Sequence, residues 1–132
     1  MGEKEVLRKA KQLGITIGKS KIWNDFNKAT EKFKKDNKVQ KLLKDLQEKE
    51  KKQEEKLKKG IPVEIEEKHD IKRLEKELSE SKIFVNFITT ENHYLSLMEK
   101  IEIAIREGTE EAMSSFEKRR KGETEKRGEG ET

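Results

Sequence analysis

The sequence has no cysteine, a single proline and eight glycines in 132 residues, and only 5% of its side chains are aromatic. Without cysteine there are no disulfides, thiolate zinc sites, cysteine-held iron–sulfur clusters or cysteine nucleophile. One proline and eight glycines are too few turn formers for an all-β fold. No stretch approaches the roughly 18 consecutive apolar residues of a membrane span. Met1-Gly2-Glu3-Lys4-Glu5 is acidic and leads into no apolar segment, unlike a signal peptide. Val6 occupies the position where a myristoylation signal has Ser or Thr. These absences predict a soluble, cytoplasmic protein that does not insert into membranes.

What is abundant is charge: 45% of residues are charged, 30% are hydrophobic, and the net charge is +4. Such a chain is poor in core side chains for a compact globule but suits a helical bundle with solvated faces. The charge is divided along the chain. Residues 1–59 carry 19 Lys and Arg against 10 Asp and Glu, whereas residues 60–116 carry 7 against 13. A basic half and an acidic half within one domain suggest that much of the charge is satisfied internally or between subunits.

The apolar periodicity predicts five helices and an all-α fold. Val6, Leu7, Ala10, Leu13 and Ile17 mark the first, over residues 3–18, with Gly14 and Gly18 as its weak points. Ser20 is a good N-cap for a second helix over residues 21–35, whose apolar face is Ile22, Trp23, Phe26, Ala29 and Phe33. Asp36 can cap a third over residues 38–59, with the stripe Val39, Leu42, Leu43 and Leu46. Its second half, residues 47–56, is wholly polar and calls for i,i+4 support from pairs such as Glu48–Lys52 and Glu54–Lys58. Gly60-Ile61-Pro62 is the strongest turn signal in the chain. A fourth helix, residues 62–80, carries Val63, Ile65, Ile71, Leu74 and Leu78. Folding the third and fourth helices back about residue 61 sets Leu57 against Ile65, Leu46 against Leu74 and Leu78, and polar stretch against polar stretch. This predicts a protruding antiparallel hairpin over residues 38–80, apolar at tip and base and polar between.

Ser81 follows Ser79 and Glu80 as the start of a fifth helix over residues 82–114. Ile83, Phe87, Tyr94, Met98, Ile101, Ile105 and Ala112 form one stripe, and Phe84, Ile88, Leu95, Leu97 and Ile103 widen it. A helix apolar on more than one side is central in its bundle or covered by another subunit. Residues 117–132 carry no large apolar side chain and read as a disordered charged tail, leaving residues 1–116 as one helical domain.

These residues resemble the YlbF/YmcA-like family of bacterial regulators, the control-of-competence regulators, over about residues 10–105. The pattern runs through Leu13, Ile17, Ser20, Phe26, Ala29, Asp36, Leu42 and Leu43, then Gln53 and Gly60. It continues with Leu74, Glu77, Leu78, Ile83, Phe87, Glu91, Tyr94, Leu97, Met98, Ile101 and Ile105. The resemblance implies a five-helix bundle that self-associates or joins related subunits. It also implies a non-enzymatic adaptor role in competence, sporulation and biofilm control, with a link to mRNA processing by a membrane-attached endoribonuclease. Two departures stand out: Thr90 replaces the usual alanine, and the cysteines that hold an iron–sulfur cluster in some members are missing.

No residue set suggests catalysis. There is no Gly-rich phosphate loop, nucleophile elbow or Ser-His-Asp set, and His69 and His93 lack metal-ligand spacing. We therefore expect no catalytic residues, no metal and no cofactor. The candidate association surface is Phe84, Phe87, Tyr94, Leu95, Met98 and Ile101, for a second copy (a dimer is favoured), a related helical subunit or a regulatory protein partner. The alternative is an RNA-associated accessory protein using the basic N-terminal half, with Lys51, Lys52, Lys58 and Lys59 on phosphates. Interleaved glutamates and the absence of free aromatic rings disfavour nucleic acid.

Overall fold

The computed structural model describes residues 2–130, with side chains described through residue 122. Among the described residues there are five helices and no strand. They are α1 (Glu3–Gly18), α2 (Lys21–Lys35), α3 (Asn37–Lys58), α4 (Ile65–Glu80) and α5 (Lys82–Gly130).

Three short polar side chains set the junctions. Ser20 Oγ accepts the Trp23 N–H at 3.2 Å and donates to the Ile17 carbonyl at 2.6 Å, so one hydroxyl closes α1 and opens α2. Asp36 accepts the Val39 N–H at 2.9 Å at the start of α3, and Ser81 accepts the Phe84 N–H at 3.3 Å at the start of α5. Each satisfies a backbone donor that the first turn of a helix leaves free. Gln40 Nε2 reaches back to the Phe33 carbonyl at 2.8 Å, which satisfies an acceptor near the end of α2. The α1 helix passes intact through its glycine and β-branched segment and stops at Gly18.

The α3–α4 hairpin turns through Gly60, at φ +71° the described residue with left-handed backbone. The Ile61 N–H bonds the Lys56 carbonyl at 2.9 Å and the Gly60 N–H bonds the Leu57 carbonyl at 3.3 Å. These two bonds form the Schellman arrangement that ends a helix on glycine. Pro62 stays in the loop, and α4 begins at Ile65 rather than at residue 62. Glu64, with extended backbone at φ −71° and ψ 150°, is the N-cap that sets the start of α4.

The chain divides into two compact units, Met1–Tyr94 and Leu95–Thr132, with the division inside α5. The core of the first unit is Val39 and Leu46 of α3 with Ile71, Leu74 and Leu78 of α4; Phe33, Leu42, Leu43, Ile83 and Phe84 pack against it. The base of the hairpin is therefore apolar, as its paired stripes require. The tip is not. Leu57 and Ile65, expected to meet there, are 66% and 71% exposed. Ion pairs bridge the arm instead: Lys56 to Glu67, and Lys49 Nζ to Asp70 Oδ2 at 3.2 Å. Both pairs lie between the polar stretches that the sequence sets face to face. With Lys56 turned inward, Leu57 one residue on is rotated by about 100° and points elsewhere.

The second unit is the remainder of α5. The sequence places a boundary at residue 116 and a tail over residues 117–132, whereas the helix continues to Gly130 without a break at 116. Loss of apolar residues removes packing partners but not helix propensity, since Glu, Lys and Arg are good helix formers. The last two residues of that tail lie outside the described residues.

Candidate association surface

The aromatic residues of α5 are used within the first unit. Phe84, Phe87 and Tyr94 recur at helical spacing and meet Trp23, Phe26 and Phe33 of α2. Phe33 and Phe87 stack with centroids 4.1 Å apart and planes 6° from parallel. Phe26 stacks on Tyr94 at 5.2 Å, and Trp23 lies 5.1 Å from Tyr94. Phe26–Phe87 at 6.1 Å and Phe33–Phe84 at 6.2 Å complete a continuous set of rings. The pairs run antiparallel, and this register brings Ala29 level with Thr90. These two residues are 2% and 9% exposed. The Thr90 hydroxyl donates to the Asn86 and Phe87 carbonyls, at 2.8 and 3.0 Å. A buried hydroxyl satisfied by its own helix brings no stray polar group into the contact. Thr90 is thus accommodated with its hydroxyl satisfied inside its own helix.

The six expected surface residues therefore separate into two sets. Phe84, Phe87 and Tyr94 are half-buried and belong to the ring set of the first unit. Leu95, Met98 and Ile101 belong to the second unit, where Leu95 is 54% exposed and the other two are half-buried. Beyond them α5 exposes Ile103, Ile105, Met113 and Phe116. This stretch also carries Glu99, Glu102, Glu107, Glu110 and Glu111 against Lys100 and Arg106.

In the first unit, α1 has no buried residue and exposes Val6, Leu7, Leu13 and Ile15. The first, second and fifth helices are expected from sequence to make the base and the association surface, but the six residues singled out all lie on α5. The signal was present: the α1 stripe repeats at three and four residues as clearly as that of α2, but periodicity does not say whether the same chain covers a stripe.

The four candidate lysines also separate. All are exposed, but Lys52 and Lys59 line the cleft between α3 and α4, and Lys51 and Lys58 do not. Lys58 pairs with Glu54 at 3.3 Å, as the i,i+4 spacing predicts, whereas the Glu48–Lys52 pair does not form. His69 and His93 are exposed, and among the described residues no three His, Asp or Glu side chains converge on a point that could hold a metal ion. Among the described residues no helix is long and apolar enough to cross a membrane.

Among the described residues the chain is wholly helical and leaves apolar side chains exposed on several helices. The profile of the family described as control of competence regulator ComK, YlbF/YmcA, matches residues 6–110, and the chain belongs to that family. No curated protein matches it in sequence. Its fold is similar to that of a chain in the X-ray crystal structure of Bacillus subtilis RicA in complex with RicF. The TM-score is 0.68 at 16% identity, over 79% of this chain and 92% of that one. At that identity the likeness is one of fold.

Proposed function

We propose that the chain is a non-enzymatic cytoplasmic adaptor that works by helix–helix association, with a second copy or a related helical subunit and through it with a regulatory protein partner. One observation carries this reading: α1 has no buried residue, and α1 and the outer part of α5 expose nine large apolar side chains, Val6, Leu7, Leu13, Ile15, Leu95, Ile103, Ile105, Met113 and Phe116. Full burial of one such side chain is worth about 1.5–3 kcal/mol. Association costs roughly 4–15 kcal/mol in lost freedom. Several of these residues must therefore be covered at once for a stable complex, and the helical spacing within each stretch lets a partner helix cover several together. Membership in the family supports a regulatory role. The similar fold comes from a structure solved with a protein partner, which supports association as the mode of action.

The test is the mass of the full chain in solution by light scattering, with Leu13→Asp and Ile105→Asp as variants. Both positions are exposed, so the fold of each unit should survive, checked by circular dichroism. We expect an assembly in the parent chain and a shift to monomer in at least one variant. A parent chain that stays monomeric, and that retains no defined protein partner after nuclease treatment when isolated from its host, would sink the proposal.

The RNA reading rests on the excess of Lys and Arg over residues 1–59. Phosphate contacts weaken steeply with salt whereas apolar helix packing survives it. Loss of all associates on nuclease treatment and at high ionic strength would favour RNA.

A further inference from the structure

The hairpin arm holds a second surface, built from residues other than those of α1 and the outer part of α5. Between α3 and α4 lies an open groove of about 350 Å³. Four lysines line it, Lys49, Lys52 and Lys56 of α3 and its C-cap residue Lys59, together with Ile61 and Ile71. Their spacing of three, four and three places them on one face of the helix. Lys49 and Lys56 are neutralised across the groove by Asp70 and Glu67. Lys52 and Lys59 have no carboxylate partner among the described residues. They are two turns apart, about 10.5 Å along α3 at 1.5 Å per residue. Ile61 is exposed in the same groove. The apolar core that joins α3 to α4 holds the two helices together, so the groove exists before any ligand arrives.

We propose that this groove binds an acidic amphipathic helix of a partner protein, with two carboxylates about two turns apart on Lys52 and Lys59 and an apolar side chain against Ile61. Two unpaired cations seven residues apart, with the exposed Ile61 past the second, match a helix that presents charge at two points. They do not match a nucleic-acid backbone, which presents it continuously. Glu67 and Asp70 are spent on Lys56 and Lys49. Glu55, in no ion pair among the described residues, lines the groove and lies between Lys52 and Lys59 in the sequence. It would oppose a phosphate bound between them but not an uncharged side chain. No aromatic or arginine side chain lines it to stack on a base.

The probe is a fluorescein-labelled alanine-based helical peptide with two glutamates seven residues apart and a leucine outside the pair, made in two versions with the leucine beyond either glutamate, titrated with the full chain and read by anisotropy. A uridine RNA oligomer is titrated in parallel. Two double variants change the formal charge equally: K52E/K59E reverses lysines in the groove, K51E/K58E lysines beside it. K52Q/K59Q serves as a gentler groove variant, and circular dichroism checks each fold. We expect saturable peptide binding, weakened about tenfold or more by K52E/K59E and less by K52Q/K59Q, as the loss of two charge-assisted contacts implies. K51E/K58E should stay within about threefold of the parent, since it breaks the exposed Lys58–Glu54 pair but leaves the groove lining unchanged and acts on it only through the screened field. No peptide binding, equal weakening by both reversals, or tighter RNA binding that depends on Lys52 and Lys59 would each overturn the proposal.

Discussion

The α3–α4 arm and the α1 helix start from the same kind of sequence and end differently. Each carries an apolar stripe at three- and four-residue spacing on an otherwise charged helix. In the arm the stripe of α3 meets that of α4, and Val39, Leu74 and Leu78 are almost wholly buried. In α1 no residue is buried. The difference lies in the connection out of each helix. After α3 comes Gly60, whose left-handed backbone reverses the chain within a few residues and returns a complementary stripe. After α1 comes a Ser20 cap that starts α2, and the apolar face of α2 is taken by the rings of α5. An amphipathic stripe is a demand for cover; connection and register decide whether the same chain meets it.

Truncation puts that contrast to the test. Leu78→Ala, at a core position of the arm, should cost about 2–5 kcal/mol of stability. The equivalent Leu7→Ala in α1 should leave urea unfolding of the isolated chain nearly unchanged while weakening association. A large stability loss in Leu7→Ala would mean that α1 is covered within its own chain after all. Next in size are the caps. Asp36→Ala removes the acceptor of the Val39 N–H at the foot of the arm and should cost about 1 kcal/mol, seen as a lower unfolding midpoint.

The glycines carry the contrast further. A Cβ at Gly60 would meet no neighbour within 4 Å, yet the positive φ penalises any L side chain. Gly60→Ala should therefore destabilise the arm by about 1–2 kcal/mol through backbone strain alone. Gly14 in α1 is helical and equally open, so Gly14→Ala should stabilise that helix by up to about 1 kcal/mol. Thermal unfolding of the pair should show shifts of opposite sign. The smallest effect belongs to the bridges. A double-mutant cycle on Lys49 and Asp70 should give about 0.2–1 kcal/mol, reduced at high salt, because both side chains are well exposed.

Much of this was legible from residue order. Ser20, Asp36 and Ser81 act as caps because their short side chains reach backbone donors two or three residues on, a local property. Gly60 ends α3 for an equally local reason. The pairing of basic α3 with acidic α4 followed from the sequence between them, since a short loop allows only an antiparallel return. The candidate surface was legible only in part. All six residues lie on apolar faces of α5, but helical period does not reveal that Phe84, Phe87 and Tyr94 would meet the rings of α2 while Leu95 would not be covered. The expected meeting of Leu57 with Ile65 failed for a related reason: pairing by position sets the level along two helices, not the rotation of each about its axis.

Residue order alone was enough for the fold class, the helix starts capped by Ser20, Asp36 and Ser81, the reversal at Gly60 and the family, because each depends on interactions within a few residues or on a pattern that survives along the chain. Packing in three dimensions settled which stripes are spent internally, that Lys56 and not Leu57 faces α4, and that Lys52 and Lys59 share a groove while Lys51 and Lys58 do not. Those outcomes depend on the rotation and separation of helices, which are set by the packing of whole faces against one another and are not encoded at any single position.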